Sequence, residues 1–412
     1  MTKLNLLDNI LFKKIDKISL IFSEYGISKF YFYLYMFLPI FIILSFLSNY
    51  IDLELHVAFI IIFNFYSVFV LAFIICYSVE RICEDVGEMI GGLISATCGN
   101  IVEIFISFFS ISKGQYDIVT YTILGSIISN TLFVQGSSYL LGCWKNKKMN
   151  LEKTNDNLPQ ANLFLFILCL IIKIIYDSYD KDILKIQITT SLNETQKNDE
   201  INDLKNLQTK NINLLSLIFS TISIILYILL FISSVRKGKK EKDDIESNKE
   251  INQQNDENED NKKSISLYLA IILLLISIVL EAFVSDFLTT SLGLDIGPKK
   301  FLVVIVFGII GNFPEHNTAL IQAYKDKPYF TYISSYGSVV QITLLLFPSC
   351  VIFSNIIGKY FTLLVSEIDL VLLAICVIVP VLIMLDKKVN WIESVILCKF
   401  FIIFAIVYYF GF

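Results

Sequence analysis

The chain has 412 residues, of which 55% are hydrophobic, 14% aromatic and only 17% charged, with a formal net charge of −5. Charge that scarce, gathered into a few stretches between long apolar runs, excludes a soluble globular fold and marks an all-α polytopic membrane protein. The acidic balance argues against nucleic acid as a partner, because no basic stripe is left to neutralise phosphates.

In chain order, residues 1–29 come first. Leu4, Leu7, Leu11, Ile15 and Ile18 recur at helical spacing with Lys13, Lys14 and Lys17 off that stripe. The pattern predicts an amphipathic helix lying on a cytoplasmic leaflet, with a plain polar tail as the alternative. No cleavable leader is expected, since no short apolar segment with a small-residue cleavage site opens the chain. Eleven spans are then expected, near 30–50, 56–79, 86–111, 117–142, 161–177, 213–235, 265–287, 300–324, 329–354, 366–385 and 391–411. Lys173 in the fifth is expected to snorkel to the interface.

Two polar segments interrupt the spans. Residues 178–212, rich in Asn, Lys, Asp and Thr, read as a disordered insertion, and 236–264 as a charged cytoplasmic linker. Basic clusters at 13–17, 145–153, 236–242, 325–327 and 387–388 place the N-terminus in the cytoplasm. Lys299 and Lys300 are the exception to that rule. Eight cysteines without a Cys-x-x-Cys pair read as small hydrophobes in packed helices.

An internal duplication carries the functional signal. Gly99-Asn100-Ile101-Val102-Glu103 in the third span answers to Gly311-Asn312-Phe313-Pro314-Glu315 in the eighth, and 315 − 103 = 212. In the following spans Gly125-Ser126 answers to Gly337-Ser338, and 337 − 125 is again 212. The copies lie an odd step of five spans apart, so they cross the membrane in opposite senses: inverted repeats meeting near the midplane, as in many secondary transporters.

Residue type then sets the chemistry. A carboxylate inside hydrocarbon is costly, so Glu103 and Glu315 are expected to face a polar cavity and carry function. Gly-Asn ahead of each acid loosens the helix there, and Pro314 removes a backbone N–H. Freed carbonyls, the amides of Asn100 and Asn312 and the hydroxyls of Ser126 and Ser338 add neutral oxygens. Two carboxylates with neutral oxygens suit a hard cation such as Ca²⁺. Without the cation the two acids repel, and protons relieve that repulsion, so one pair holds either a divalent cation or protons.

These motifs resemble the cation/proton exchanger (CAX) family of the Ca²⁺/cation antiporter superfamily, over residues 84–111 with 123–142 and over 307–327 with 336–350. The resemblance implies one N-terminal peripheral helix (30–50) followed by two inverted five-helix repeats, 56–235 and 265–412. It implies export of cytosolic Ca²⁺, with Mn²⁺ as a second cargo, into a vacuole-like acidic store in exchange for H⁺, with the mitochondrial inner membrane or the plasma membrane as the alternative locations. No cofactor beyond the transported ions is implied. Glu103 and Glu315 would be the paired cation- and proton-binding acids. Asn100, Asn312, Ser126, Ser338 and Gln341 would line the site with the carbonyls of Gly99 and Gly311. Glu80, Glu84 and Glu281 would form access paths, although plain interfacial acids fit Glu84 equally. His316 would tune Glu315 or relay protons, with a hydrogen-bonded helix residue as the alternative. Phe313 and Pro314 stand where the family usually has two alanines, and Thr120 where a Gln is common, which leaves the choice of cation open. A sodium-coupled exchanger is the rival within transport; a cation channel and a zinc hydrolase fit less well, the latter because only His56 and His316 are available. Oligomeric state is not legible.

Overall fold

A computed structural model describes residues 37–44, 47, 57–86, 98–146, 148–151, 158–188, 194–249, 266–293 and 298–411. The N-terminal segment read as amphipathic lies outside them. In hydrocarbon every backbone N–H and C=O must be satisfied within the chain, and apolar runs of this length do so as helices. The elements are α1 (Val57–Val86), α2 (Ile101–Lys113), α3 (Tyr116–Ile128), α4 (Gln135–Asn146), β1 (Lys148–Asn150), α5 (Leu158–Ile188), α6 (Glu194–Lys249) and α7 (Leu267–Leu292). There follow α8 (Lys299–Phe301), α9 (Gly308–Gly311), α10 (Phe313–Tyr324), α11 (Pro328–Gln341), α12 (Phe347–Ile356), α13 (Glu367–Ile383), β2 (Lys388–Asn390) and α14 (Trp391–Tyr409). Three π-helical segments, Ser129–Val134, Leu302–Phe307 and Ile342–Leu346, join α3 to α4, α8 to α9 and α11 to α12.

Among the described residues, six helices are long and apolar enough to cross a bilayer. The eleven expected spans differ from that number for visible reasons. Most of 30–50 and the first half of 86–111 lie outside the described residues, and 300–324 is broken at Asn312. Faces that a soluble protein would hide are left bare: Ile218, Ile222, Ile225 and Leu229 on α6 are exposed, as are Leu275 and Val279 on α7. Such rows are the surface that lipid covers.

The chain divides into two compact units, one of residues 1–101 with 232–291 and the other of 102–231 with 292–412. In the first unit α1 and α7 are joined by the Asn64 amide, which donates to Ser291 Oγ at 3.2 Å. The second unit holds the large apolar core and a two-stranded antiparallel sheet in which Met149 faces Val389. Asn390 and Glu393 cap α14 reciprocally, which fixes where that helix starts.

The structure corrects the reading of 178–212. Its residues up to Ile188 extend α5, and those from Glu194 open α6. Gln208 Nε2 donates to Tyr176 O (3.2 Å) and to Asp180 Oδ1 (3.0 Å), and Asn211 Nδ2 donates to Tyr179 Oη (2.7 Å). Polar composition hid a helical hairpin whose apolar residues, among them the buried Ile183 and Ile212, are few but well placed. The linker after 236 likewise continues α6 to Lys249.

Two lysines unexplained by sequence find partners on one helix end. Lys173 pairs with Asp177 (2.8 Å) and Glu367 (3.3 Å), so it is held by carboxylates rather than merely snorkelling. Lys300 pairs with Asp369 at 3.1 Å and lies over the rings of Tyr121 and Tyr408. Asp369 also accepts from Tyr408 Oη (3.1 Å) and from the capping Ser366 (2.7 Å).

Candidate functional site

Both acids sit at a helix break. A turn at Asn100 precedes α2, and Glu103 is its third residue. Asn312, at φ −94° and ψ 14°, ends α9, and Glu315 is the third residue of α10. The first turn of a helix presents free N–H groups and a positive dipole end, a setting that favours an anion. Pro314 falls in that turn, where a missing N–H costs the helix nothing, so it marks the restart rather than breaking a formed helix.

The amide of Asn312 does not cap α10, because neighbours occupy it. Its Nδ2 donates to Gly308 O (2.8 Å) and to Ser126 Oγ (3.0 Å), while its Oδ1 accepts from Asn130 Nδ2 at 2.6 Å. Ser126 in turn donates to Glu103 Oε1 at 3.3 Å, and Asn130 Nδ2 also reaches Ser338 Oγ at 3.4 Å. A continuous chain thus runs Glu103–Ser126–Asn312–Asn130–Ser338 through the second unit, all of it buried. Gly311 closes against the first acid. A Cβ built there would stand 2.9 Å from Glu103 Oε1, so a side chain at this position would push the carboxylate from its place. Gly125 and Gly308 play the same part for the backbones, since a Cβ on Gly308 would meet Gly125 O at 2.8 Å.

The second oxygen of each acid, Glu103 Oε2 and Glu315 Oε2, is buried with no hydrogen-bond partner. The two carboxylates are near enough for their charges to interact. Among the described residues no group of three His, Cys, Asp or Glu side chains gathers. A cation bound to this pair would therefore complete its shell from neutral oxygens, as the sequence expects of a hard ion.

Other expected residues fall as follows. Gln341 is the last residue of α11, where the third π segment begins. Asn100 is buried and Gly99 half-buried, both in the first unit. Glu80 and Glu84 lie near the end of α1, and their side chains are outside the described residues. Glu281 is buried in α7 of the first unit and accepts from Ser285 at 3.1 Å. His316 is buried next to Glu315, with Nε2 2.8 Å from Ser137 Oγ and its ring edge-on to Phe133 and Phe313. Thr120 turns back on its own helix to bond Tyr116 O at 3.2 Å, away from the hydrogen-bonded chain.

Two site residues escaped the sequence reading. Asn130 is the hub of the network, yet position 342 (130 + 212) is Ile, so a search for repeat mates passes over it. Ser129 is the mate of Gln341 (129 + 212 = 341) and is likewise buried. The cue for both was a run of polar side chains inside a span. The duplication itself extends to backbone form, since the π segments after the Gly-Ser pairs end at Val134 and Leu346, again 212 apart.

Comparison with known proteins agrees with this architecture. Over 342 residues the chain is 27% identical to a Ca²⁺/H⁺ antiporter of Synechocystis sp., covering 80% of this chain and 85% of the relative. It is 25% identical over 343 residues to vacuolar cation/proton exchanger 4 of Arabidopsis thaliana, covering 80% and 71%. The fold is shared with native YfkE, at a TM-score of 0.66 and 21% identity over 92% of this chain and 99% of that one. It is shared too with the H⁺/Ca²⁺ exchanger CAX, at 0.59 and 15% over 91% and 90%. The sodium/calcium exchanger protein family matches residues 56–235 and 264–410, and this integral membrane chain belongs to it.

Proposed function

We propose that the protein is a secondary antiporter that moves Ca²⁺ out of the cytosol in exchange for protons, with Mn²⁺ as a second cargo. The observation that carries the reading is the pair of carboxylates, each with a buried oxygen that has no hydrogen-bond partner among the described residues. Two uncompensated charges in hydrocarbon are costly, so the pair is stable only when it holds a cation or protons. That exclusivity couples the two fluxes. Neutral oxygens of Asn312, Ser126, Ser338 and Gln341, with the Gly311 carbonyl, complete the cation's shell. Asn100 and Gly99 precede Glu103 as Asn312 and Gly311 precede Glu315, and take the same role by the repeat. Glu80, Glu84 and Glu281 serve access, and His316 steadies the start of α10 beside Glu315.

The antiporter and vacuolar exchanger names of the relatives support Ca²⁺ and H⁺ as the exchanged pair and an acidic store as the membrane. The decisive measurement is ⁴⁵Ca²⁺ uptake into proteoliposomes under an imposed pH gradient, with Mn²⁺ and Mg²⁺ in competition. Uptake in sodium-free buffer is expected. Uptake that needs a sodium gradient would transfer the reading to the sodium-coupled branch, and currents indifferent to pH would indicate a channel.

A further inference from the structure

Where the hydrogen-bonded chain of the site stops, a row of unsatisfied groups begins. The helix running from α3 through the π segment into α4 stacks buried polar residues on one side at successive turns: Ser126, Asn130, Gln135 and Tyr139. The five-residue step from 130 to 135 spans the π segment, whose wider turn is made by i→i+5 hydrogen bonding. Ser126 and Asn130 belong to the carboxylate network. Beyond them Gln135 is fully buried; its amide comes within reach of the Tyr336 hydroxyl, but among the described residues neither its Oε1 nor its Nε2 meets full hydrogen-bonding geometry. Tyr139 is also fully buried with its hydroxyl unpaired, and Asn130 Oδ1 is unpaired as well. Gln135 lies beside Tyr336 and Tyr139 beside Tyr332, the two tyrosine rings of α11 being 4.9 Å apart.

Burying an amide and a phenol without partners costs free energy that Leu and Phe would avoid. Polar groups left this way in a folded interior are satisfied by ordered water, which needs two to four such partners. We infer that Gln135 and Tyr139 hold a short file of water that carries protons between the Glu103/Glu315 site and the β1 end of the span. The inference rests on the proton-coupled reading above. All the lining groups are neutral, so a divalent cation stripped of its hydration gains no carboxylate here and is kept out, whereas a proton passes by exchange. A proton leaving a carboxyl at the site joins the first water as another leaves the last water for bulk. O–H bonds made equal O–H bonds broken, and the amide and phenol stay neutral throughout.

Two flux modes of the full-length protein in proteoliposomes test this. Uptake of ⁴⁵Ca²⁺ driven by a pH gradient needs protons to cross. Exchange of ⁴⁵Ca²⁺ for unlabelled Ca²⁺ at equal pH loads and unloads the site with no net proton movement. Gln135→Leu and Tyr139→Phe are each expected to slow the first mode about tenfold while leaving the second within about twofold of wild type. Equal loss in both modes would make these residues packing elements and overturn the inference, as would no change in either. Should Gln135→Leu fail to fold, Tyr139→Phe, which removes a single oxygen, decides the matter. Wild type without gradient-driven uptake would instead defeat the exchange reading itself.

Discussion

At the scale of single residues, the site depends on carboxylates each with one unpaired oxygen and a glycine that lacks a side chain. On the proposed mechanism, Glu103→Gln or Glu315→Gln keeps the shape but removes the charge that would bind a cation and the acid that would yield a proton. Each is expected to abolish gradient-driven Ca²⁺ uptake while the protein still inserts, read by flux together with detergent-solubilised yield. Gly311→Ala is a finer probe. Its methyl would press on Glu103 Oε1 at 2.9 Å, and transport is expected to fall by about tenfold or more, since misplaced ligands cost steeply in a preorganised site. Uptake at the wild-type rate in that variant would show that the carboxylate is not held where the structure puts it. The two acids were legible in the sequence because intramembrane carboxylates are rare and these recur at one interval. Asn130 was not, because its mate is an isoleucine; nor was the Gly311 contact, which brings together residues more than two hundred positions apart.

At the scale of elements, the first turn of α13 gathers lysines from elsewhere in the second unit through Glu367 and Asp369. Lys300 opens the broken stretch that leads through α9 to Asn312, so its pairing steadies the approach to the site. Lys300→Met leaves Asp369 buried with its counter-charge gone, and breaking such a pair costs about 3–5 kcal/mol. Chemical unfolding in detergent should register that loss, and Lys300→Arg should restore most of it. The α5–α6 hairpin makes the opposite prediction. Removing 184–204 takes away the Lys197 contact to Gln187 O (3.3 Å), exposed and of small worth, but spares the bonds of Gln208 and Asn211 below it. Transport should persist in that deletion; its loss at normal expression would give the hairpin a part in exchange. Composition alone misread this segment. Its apolar residues are too sparse to announce a helix, and its stability comes from side chains bridging to a partner helix that local sequence cannot display.

At the scale of the whole molecule, scarce charge identified a membrane protein, and hydropathy found most of the long helices. It could not register the break at Asn312, because a Gly-Asn pair hardly alters the mean polarity of a span. We propose the sense of insertion from the loops: the β1–β2 sheet, with Lys148, Lys387 and Lys388 in or beside it, on the cytosolic side and the α5–α6 hairpin opposite. A cysteine placed at Lys148 in sealed vesicles of known orientation should react with an impermeant maleimide from the cytosolic face only, and one at Lys197 from the other. The reverse pattern would invert the topology while leaving the site untouched.

The Asn130 bridge has a consequence for how the duplicated protein keeps time. Two copies of a motif that face each other in opposite senses begin as interchangeable halves, and interchangeable halves fill in no fixed sequence. Asn130 binds Asn312 and Ser338 from the second copy and has no counterpart at Ile342 to return the gesture. Glu103 is tied into that lattice through Ser126, whereas at Glu315 it is the backbone carbonyl that accepts, from Ser334 Oγ at 3.3 Å. On the proposed exchange mechanism the degeneracy of the ancestral pair would thereby be lifted, and the turnover cycle would acquire a preferred order in which its two acids are loaded and emptied.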